Sequence, residues 1–457
     1  MKGQKKTKSN AKRSVLPKET KNKGPASHTL LELYWHDLSA IIGIGVIVVP
    51  IIVSYLVGVF SIFLVLFVGI LALVIGTILY EVEAVEGLDP YKYLGTNVSK
   101  EYSFIFGFLL VIAYILIVIL AGEVGVLELS QFFGSYGVYV GLILVELFLI
   151  ATWAVLSMKR EKFTLNFMGI IKLLFVIALI IAGFIAVKMI GVKPFLNAIN
   201  GNSNYINLPQ AAFMSLGIIL LFFSFVGFET GSFAFKGPSE KRYIVAEAIM
   251  YSILTGIVVY TLIQIFAIGL GNYNSSNPFL GFSLFPNFIG QIISYPTEVF
   301  FSIFSIVVVL GSVVALSNAS SKVLHMFALD GIVPASLADS ENLKLSLSLG
   351  IPIVLLPVVS LIAGPLSSTT SSFISDVGAI LPIISVASMS VLLAFAFLSA
   401  GMAYANRNKS WGKLLSGIFI TLVILGIIGF AQIQYLVGLL VIVALGAIGY
   451  VIVARNK

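Results

Sequence analysis

The chain has 457 residues, 59% of them hydrophobic and only 10% charged, with a formal net charge of +7. Its mean hydropathy of +1.08 excludes a soluble domain and marks a polytopic membrane protein. The absence of cysteine excludes disulfides, thiol catalysis and cysteine-ligated metals, and His28, His36 and His325 are too scattered for a histidine metal cluster.

The positive charge is concentrated at the start. Nine of the 27 basic residues precede Ser27, in a Lys/Ser/Asn/Pro stretch. Residues 1–29 therefore read as a disordered cytoplasmic tail, not as a nucleic-acid-binding element. No short apolar core precedes Leu30, so no signal peptide is expected. Apolar runs of spanning length then predict about twelve helices. The first six are Leu38–Phe60, Ser61–Tyr80, Tyr102–Leu129, Val138–Leu156, Leu165–Ile190 and Gln210–Phe235. The rest are Tyr243–Leu270, Thr297–Ser317 (or on to Leu329), Leu345–Ala363, Phe373–Ser399, Leu414–Phe430 and Tyr435–Val453.

Loop charge orients them. With the N-terminus inside, the inner loops hold Lys92, Lys100, Lys159, Arg160, Lys162, Lys236, Lys241, Arg242, Lys322, Lys344, Arg407, Lys409, Lys413, Arg455 and Lys457. The outer loops hold only Lys188 and Lys193. The positive-inside rule thus predicts a multi-pass protein of the cell membrane with both termini cytoplasmic. The outer stretch Asn277–Phe288 is aromatic and apolar, and suits either a short helix over the outer mouth or an interfacial loop.

Two spans carry helix-breaking residues. Ile41-Ile-Gly-Ile-Gly-Val-Ile-Val-Val-Pro50 has Gly43 and Gly45, and Pro50 is expected to push Val49 out of the helical region. The stretch is either an interruption near Gly43–Gly45 or a glycine face for a neighbouring helix. A dinucleotide motif is excluded, because Val48 replaces its third glycine. In the sixth span, Leu221-Phe-Phe-Ser-Phe-Val-Gly-Phe-Glu-Thr-Gly231 places Gly227 and Gly231 around an intramembrane Glu229. Such an acid faces the protein interior, as a site group or as a cap on broken backbone. Paired broken helices at matching positions point to a transporter site near the middle of the bilayer.

These residues resemble the amino acid–polyamine–organocation (APC) transporters. Gly43-Ile-Gly45 with Pro50 resembles that family's first-helix motif, and Phe223-Ser-Phe-Val-Gly-Phe-Glu229 its sixth-helix motif. Gly311-Ser312, Ser320-Ser-Lys-Val-Leu and Asp330-Gly-Ile-Val-Pro334 resemble its eighth helix and following loop. The chain departs from the family at Lys322, at Phe235-Lys-Gly-Pro-Ser-Glu240, at Val245 and at Asp89-Pro-Tyr-Lys-Tyr93. The resemblance implies an all-α, LeuT-like integral membrane protein of two inverted five-helix repeats, residues 30–200 and 201–400. Two further helices would occupy 401–457.

It also implies a site for a zwitterion, and physical chemistry agrees. Free amides of Ile44 and Gly45 at a half-helix start would meet a carboxylate. Freed carbonyls of Ile41, Phe223 and Val226 would attract an ammonium, with Phe223 as an aromatic lid. Gly43, Gly45 and Gly227 allow close approach of backbone to solute, and Glu229 and Tyr114 complete the candidate pocket. Lys172 is the one basic residue well inside a predicted span. Snorkelling to the headgroups is one reading of it. The resemblance implies another: its ammonium takes the place of a sodium ion in sodium-coupled relatives, with Ser312 beside it, and exchanges a proton during transport. Glu123 would favour a cationic side chain, carry a proton or bond a distant hydroxyl. Glu128, Glu146 and Asp376 are further intramembrane acids.

The expected function is secondary amino acid transport by alternating access, sodium-independent and either proton-coupled or exchanging. The expected partners are an amino acid, a proton and the lipid bilayer, with no nucleic acid, cofactor, metal or enzymatic activity. A polyamine or organic-cation carrier and a transporter-like sensor are the alternatives.

Overall fold

A computed structural model describes residues 29–130, 132–133, 136–157, 161–193, 196, 210–235, 238–271, 289, 292–334, 341–369 and 373–455. The stretch 277–288 and the tail 1–28 lie outside these residues, as does the Asp376 side chain. Among them the fold is all-helical.

The first expected span begins at Leu30, not Leu38, and is split into α1 (Leu30–Ile41), α2 (Ile44–Ile47) and α3 (Val49–Val57). A capping box starts it: the Thr29 hydroxyl accepts from the Glu32 amide, and the Glu32 carboxylate accepts from the Thr29 amide at 3.0 Å. Pro50 corrects the expectation for Val49, which is helical. The proline sits in the first turn of α3, where it lacks no bond and its fixed φ suits a helix start.

Then come α4 (Phe60–Tyr80), ending in a π-helical turn at Glu81–Val85, and α5 (Pro90–Asn97), started by the Asp89 side chain. The long helices α6 (Lys100–Ser130), α7 (Gly137–Ser157) and α8 (Glu161–Ile190) close the first half. The sixth expected span is α9 (Gln210–Phe225) and α10 (Thr230–Ala234), followed by α11 (Tyr243–Gly271) and α12 (Tyr295–Leu329). The chain finishes with α13 (Glu341–Thr369), α14 (Phe373–Asn406), α15 (Trp411–Gly429) and α16 (Ile433–Arg455). Among the described residues ten helices are long and apolar enough to cross a membrane, and the segments of α1–α3 are each too short to be among them.

The broken segments lie at the centre. α1 packs among α8, α11 and α12, while α9 packs on α3, α4 and α14. The outward faces are apolar, as at Phe63, Leu174, Phe419 and Leu440, which suits a lipid surround.

Side chains cross-tie one end of the bundle. Arg242 Nε donates to Glu83 Oε2 at 2.5 Å, and its Nη2 to the Ser232 carbonyl at 2.9 Å. Lys413 pairs with Glu81, and the Tyr91 hydroxyl donates to Asp330 at 2.7 Å. Burial, with the Asp330 carboxylate beside it, raises the Tyr91 hydroxyl above its usual titration range, so it remains a donor.

α14 and α15 touch backbone to backbone. A Cβ on Gly417 would lie 2.6 Å from the Ser399 carbonyl oxygen and 2.9 Å from Ala403 Cβ. Gly417→Ala is therefore expected to cost about 1–3 kcal/mol, as for other overpacked contacts. A lowered thermal midpoint in detergent would show this; an unchanged midpoint would mean the two helices separate freely.

Candidate substrate site

α1 ends where glycine ends it. Its last regular bond runs from the Ile42 amide to the Leu38 carbonyl at 2.9 Å. The amides of Gly43, Ile44 and Gly45 do not bond the carbonyls four residues back. The freed carbonyls are met by side chains from three other helices. Lys172 Nζ of α8 donates to the Ser39 carbonyl at 2.5 Å, and Tyr260 of α11 donates to that of Ile41 at 2.8 Å. The Ser312 hydroxyl of α12 lies 3.5 Å from the Ile42 carbonyl and accepts from Lys172 at 2.7 Å. Lys172 is fully buried, so it does not snorkel.

The second break runs from Val226 to Glu229. Gly227 has φ +111°, a conformation other residues resist. Glu229 holds this loop from within: its Oε2 accepts from the Gly227 amide at 3.0 Å, and its Oε1 from the Tyr114 hydroxyl at 2.7 Å. The two breaks touch each other. A Cβ on Gly227 would lie 2.4 Å from Ala40 Cβ, and one on Gly45 2.6 Å from Ser224 Cα.

Between them lies a chamber lined by Ile41, Ile44, Gly45, Phe223, Val226 and Ser312, together with Ala40, Ile117 and Leu316. Its volume is about 10 Å³, room for no more than one water. Gly43 is not in the lining but packs against it, since a Cβ there would strike the Ser312 hydroxyl at 2.2 Å. Gly227, Glu229, Tyr114 and Lys172 stand behind the lining and hold the breaks. Glu123 is not in the lining and accepts from Ser360 of α13 at 2.5 Å. Among the described residues no group of side chains suits a metal ion.

Sequence reasoning missed Asp37, which precedes the expected first span. Its carboxylate is fully buried, and its Oδ1 accepts from the Gly231 amide at 2.6 Å and lies 3.2 Å from the Thr230 hydroxyl. It thus fastens α1 to α10. His36 joins in, with Nδ1 3.1 Å from Thr230 Oγ1 and Nε2 3.5 Å from Asn318 of α12. The available signal was an acid followed closely by Gly43-Ile-Gly45. The missed Ile117 gave none, because α6 is apolar on every side around it, whereas Leu316 stands one turn past Ser312 on α12.

Two interrupted helices meeting over a small chamber define a membrane transporter of the broken-helix kind, in which unwound backbone receives the solute. The sequence profile described as "Amino acid permease" matches residues 29–452, and the chain belongs to that family. Among solved structures it is similar to MhsT in complex with L-phenylalanine, with a TM-score of 0.61 at 15% identity, over 88% of this chain and 98% of that one. This likeness shows the LeuT-type fold. No curated protein matches the sequence.

Gly45→Leu is expected to abolish substrate-induced thermal stabilisation, and Gly45→Ala to weaken it, because each puts a Cβ against Ser224. Normal stabilisation of Gly45→Leu by substrate would place the site elsewhere. Asp37→Asn is expected to loosen α10 from α1, since a charge-assisted hydrogen bond contributes about 1.5–3 kcal/mol. The chain's lack of cysteine makes Ala234→Cys a clean reporter: it is one turn past Thr230 and buried. Its maleimide labelling should quicken severalfold when Asp37→Asn is added; an equal rate would refute the fastening role.

Proposed function

We propose that this protein is a secondary active transporter that moves amino acids across the cell membrane by alternating access. It works without sodium and couples to protons or exchanges one amino acid for another. Family membership supports the substrate class. Lys172 carries the coupling reading: its ammonium donates to α1 at Ser39 and to α12 at Ser312. In the resembled family that place belongs to sodium in coupled members. A protonated lysine ties α1 to α8 and α12, and loss of its proton weakens the tie. The two states of the carrier then differ in population by no more than that difference in interaction energy.

The free amides of Ile44 and Gly45 suit the substrate carboxylate, with Gly43 and Gly227 leaving room for backbone approach. The carbonyl of Val226 suits the ammonium, whereas that of Ile41 already accepts from Tyr260 and that of Phe223 from the Val226 amide at 3.1 Å. The organisation follows as two inverted repeats, 30–200 and 201–400, with 401–457 added. The cross-tied end bears Lys92, Arg242 and Lys413 and faces the cytoplasm by the positive-inside rule, with both termini.

Purified protein in liposomes tests this reading. Uptake should be unchanged when sodium is replaced by choline, and should respond to external pH. Lys172→Ala should lose the pH response before it loses binding. Sodium-dependent uptake, or the same pH profile in Lys172→Ala, would refute the coupling scheme.

A further inference from the structure

We infer that the chamber, closed to about 10 Å³ here and enlarged when its half-helices part, takes neutral amino acids with apolar side chains and rejects cationic and anionic side chains and polyamines. This deepens the transport reading above and rests on it. The walls that a substrate side chain would meet are Ile44, Ile117, Phe223, Val226 and Leu316, every one of them buried. Among the described residues the only hydroxyl in the lining belongs to Ser312, and Lys172 already donates to it. No ionisable side chain among the described residues lines the chamber.

The ionisable groups nearby stand outside the lining and bond elsewhere, though Asp37 does so through Oδ1 alone. Glu229 receives Tyr114 and the Gly227 amide, and Asp37 receives the Gly231 amide. Lys172 is held by Ser39 and Ser312. Glu123 comes six residues after Ile117 on α6, about 240° around a helix of 3.6 residues per turn. That turn directs it to Ser360, away from the chamber. A lysine, arginine or glutamate side chain would therefore be desolvated with no opposite charge to receive it. Unpaired burial of that kind disfavours binding by at least about a hundredfold. The substrate's own carboxylate and ammonium are exempt, because the breaks offer them free backbone groups.

The same walls predict a graded response to size. Each methylene moved from water into such a lining is worth about fourfold in affinity, so alanine, valine and leucine should rank in that order. A polyamine offers two ammonium groups and no carboxylate, so it meets neither the free amides nor a counter-charge.

Counterflow into proteoliposomes containing the full chain tests the inference. Vesicles loaded with unlabelled leucine, lysine, glutamate or putrescine would each receive the matching tracer. Leucine should exchange, with valine, isoleucine and phenylalanine competing. Lysine, arginine, glutamate and putrescine should compete at least about a hundredfold more weakly. Lysine or putrescine competing as well as leucine would overturn the inference; lysine exchange would still leave amino acid transport standing. Exchange with no tracer at all would overturn the transport reading and this inference with it. Leu316→Asp should improve lysine competition at least tenfold and weaken leucine. Ile117→Asp, on a different helix, serves if the first variant does not insert. Unchanged lysine competition in a correctly inserted variant would refute the assignment of these walls.

Discussion

The structure depends on how an open helix is satisfied where no water is available. Lipid supplies no partner for a backbone group, so an interruption persists only where the protein fills the gap. The carbonyls freed at Ser39, Ile41 and Ile42 are met by Lys172, Tyr260 and Ser312, from α8, α11 and α12. Those three helices are the surroundings against which α1 packs. The break is thus held from outside itself, and any movement of α1 must exchange or lose those contacts.

The buried charges follow one pattern. Glu229 bonds a backbone amide of the second break and Asp37 one in the first turn of α10 just beyond it, while Lys172 bonds a backbone carbonyl of the first. None of these hydrogen bonds joins one of the three charges to another. Charge is matched to unwound backbone because those groups also lack partners, and each contact relieves two desolvation costs at once. The cross-tied end works differently. There Arg242 meets Glu83 and Lys413 meets Glu81, carboxylate to cation, with Glu83 completely buried.

Much of this was legible in the sequence. Spanning helices followed from unbroken apolar runs, and Gly43, Gly45 and Gly227 marked the two breaks because glycine weakens a helix whatever surrounds it. Other features were hidden for physical reasons. Glu32, His36 and Asp37 gave the start of α1 a polar look, although His36 and Asp37 are buried against partners far along the chain. Tyr260 and Ile117 were invisible as functional positions. A helix enclosed by lipid and protein is apolar all round, so no periodicity tells which face lines a cavity. Glu123 was singled out for its charge, but its facing was not readable until Ser360 was placed beside it.

The contact between the two breaks sets the kind of motion the site permits. Gly45 lies against the Ser224 backbone and Gly227 against Ala40, so the chamber has no long side chains there whose rotation would widen it. Rotamer flips, which take picoseconds to nanoseconds, cannot admit a solute along that seam. On the transport reading the half-helices would part as units, and collective motions of that kind take microseconds to milliseconds or longer. The clock of such a motion would be set in the backbone, by glycine-to-backbone packing and not by side-chain rotamers.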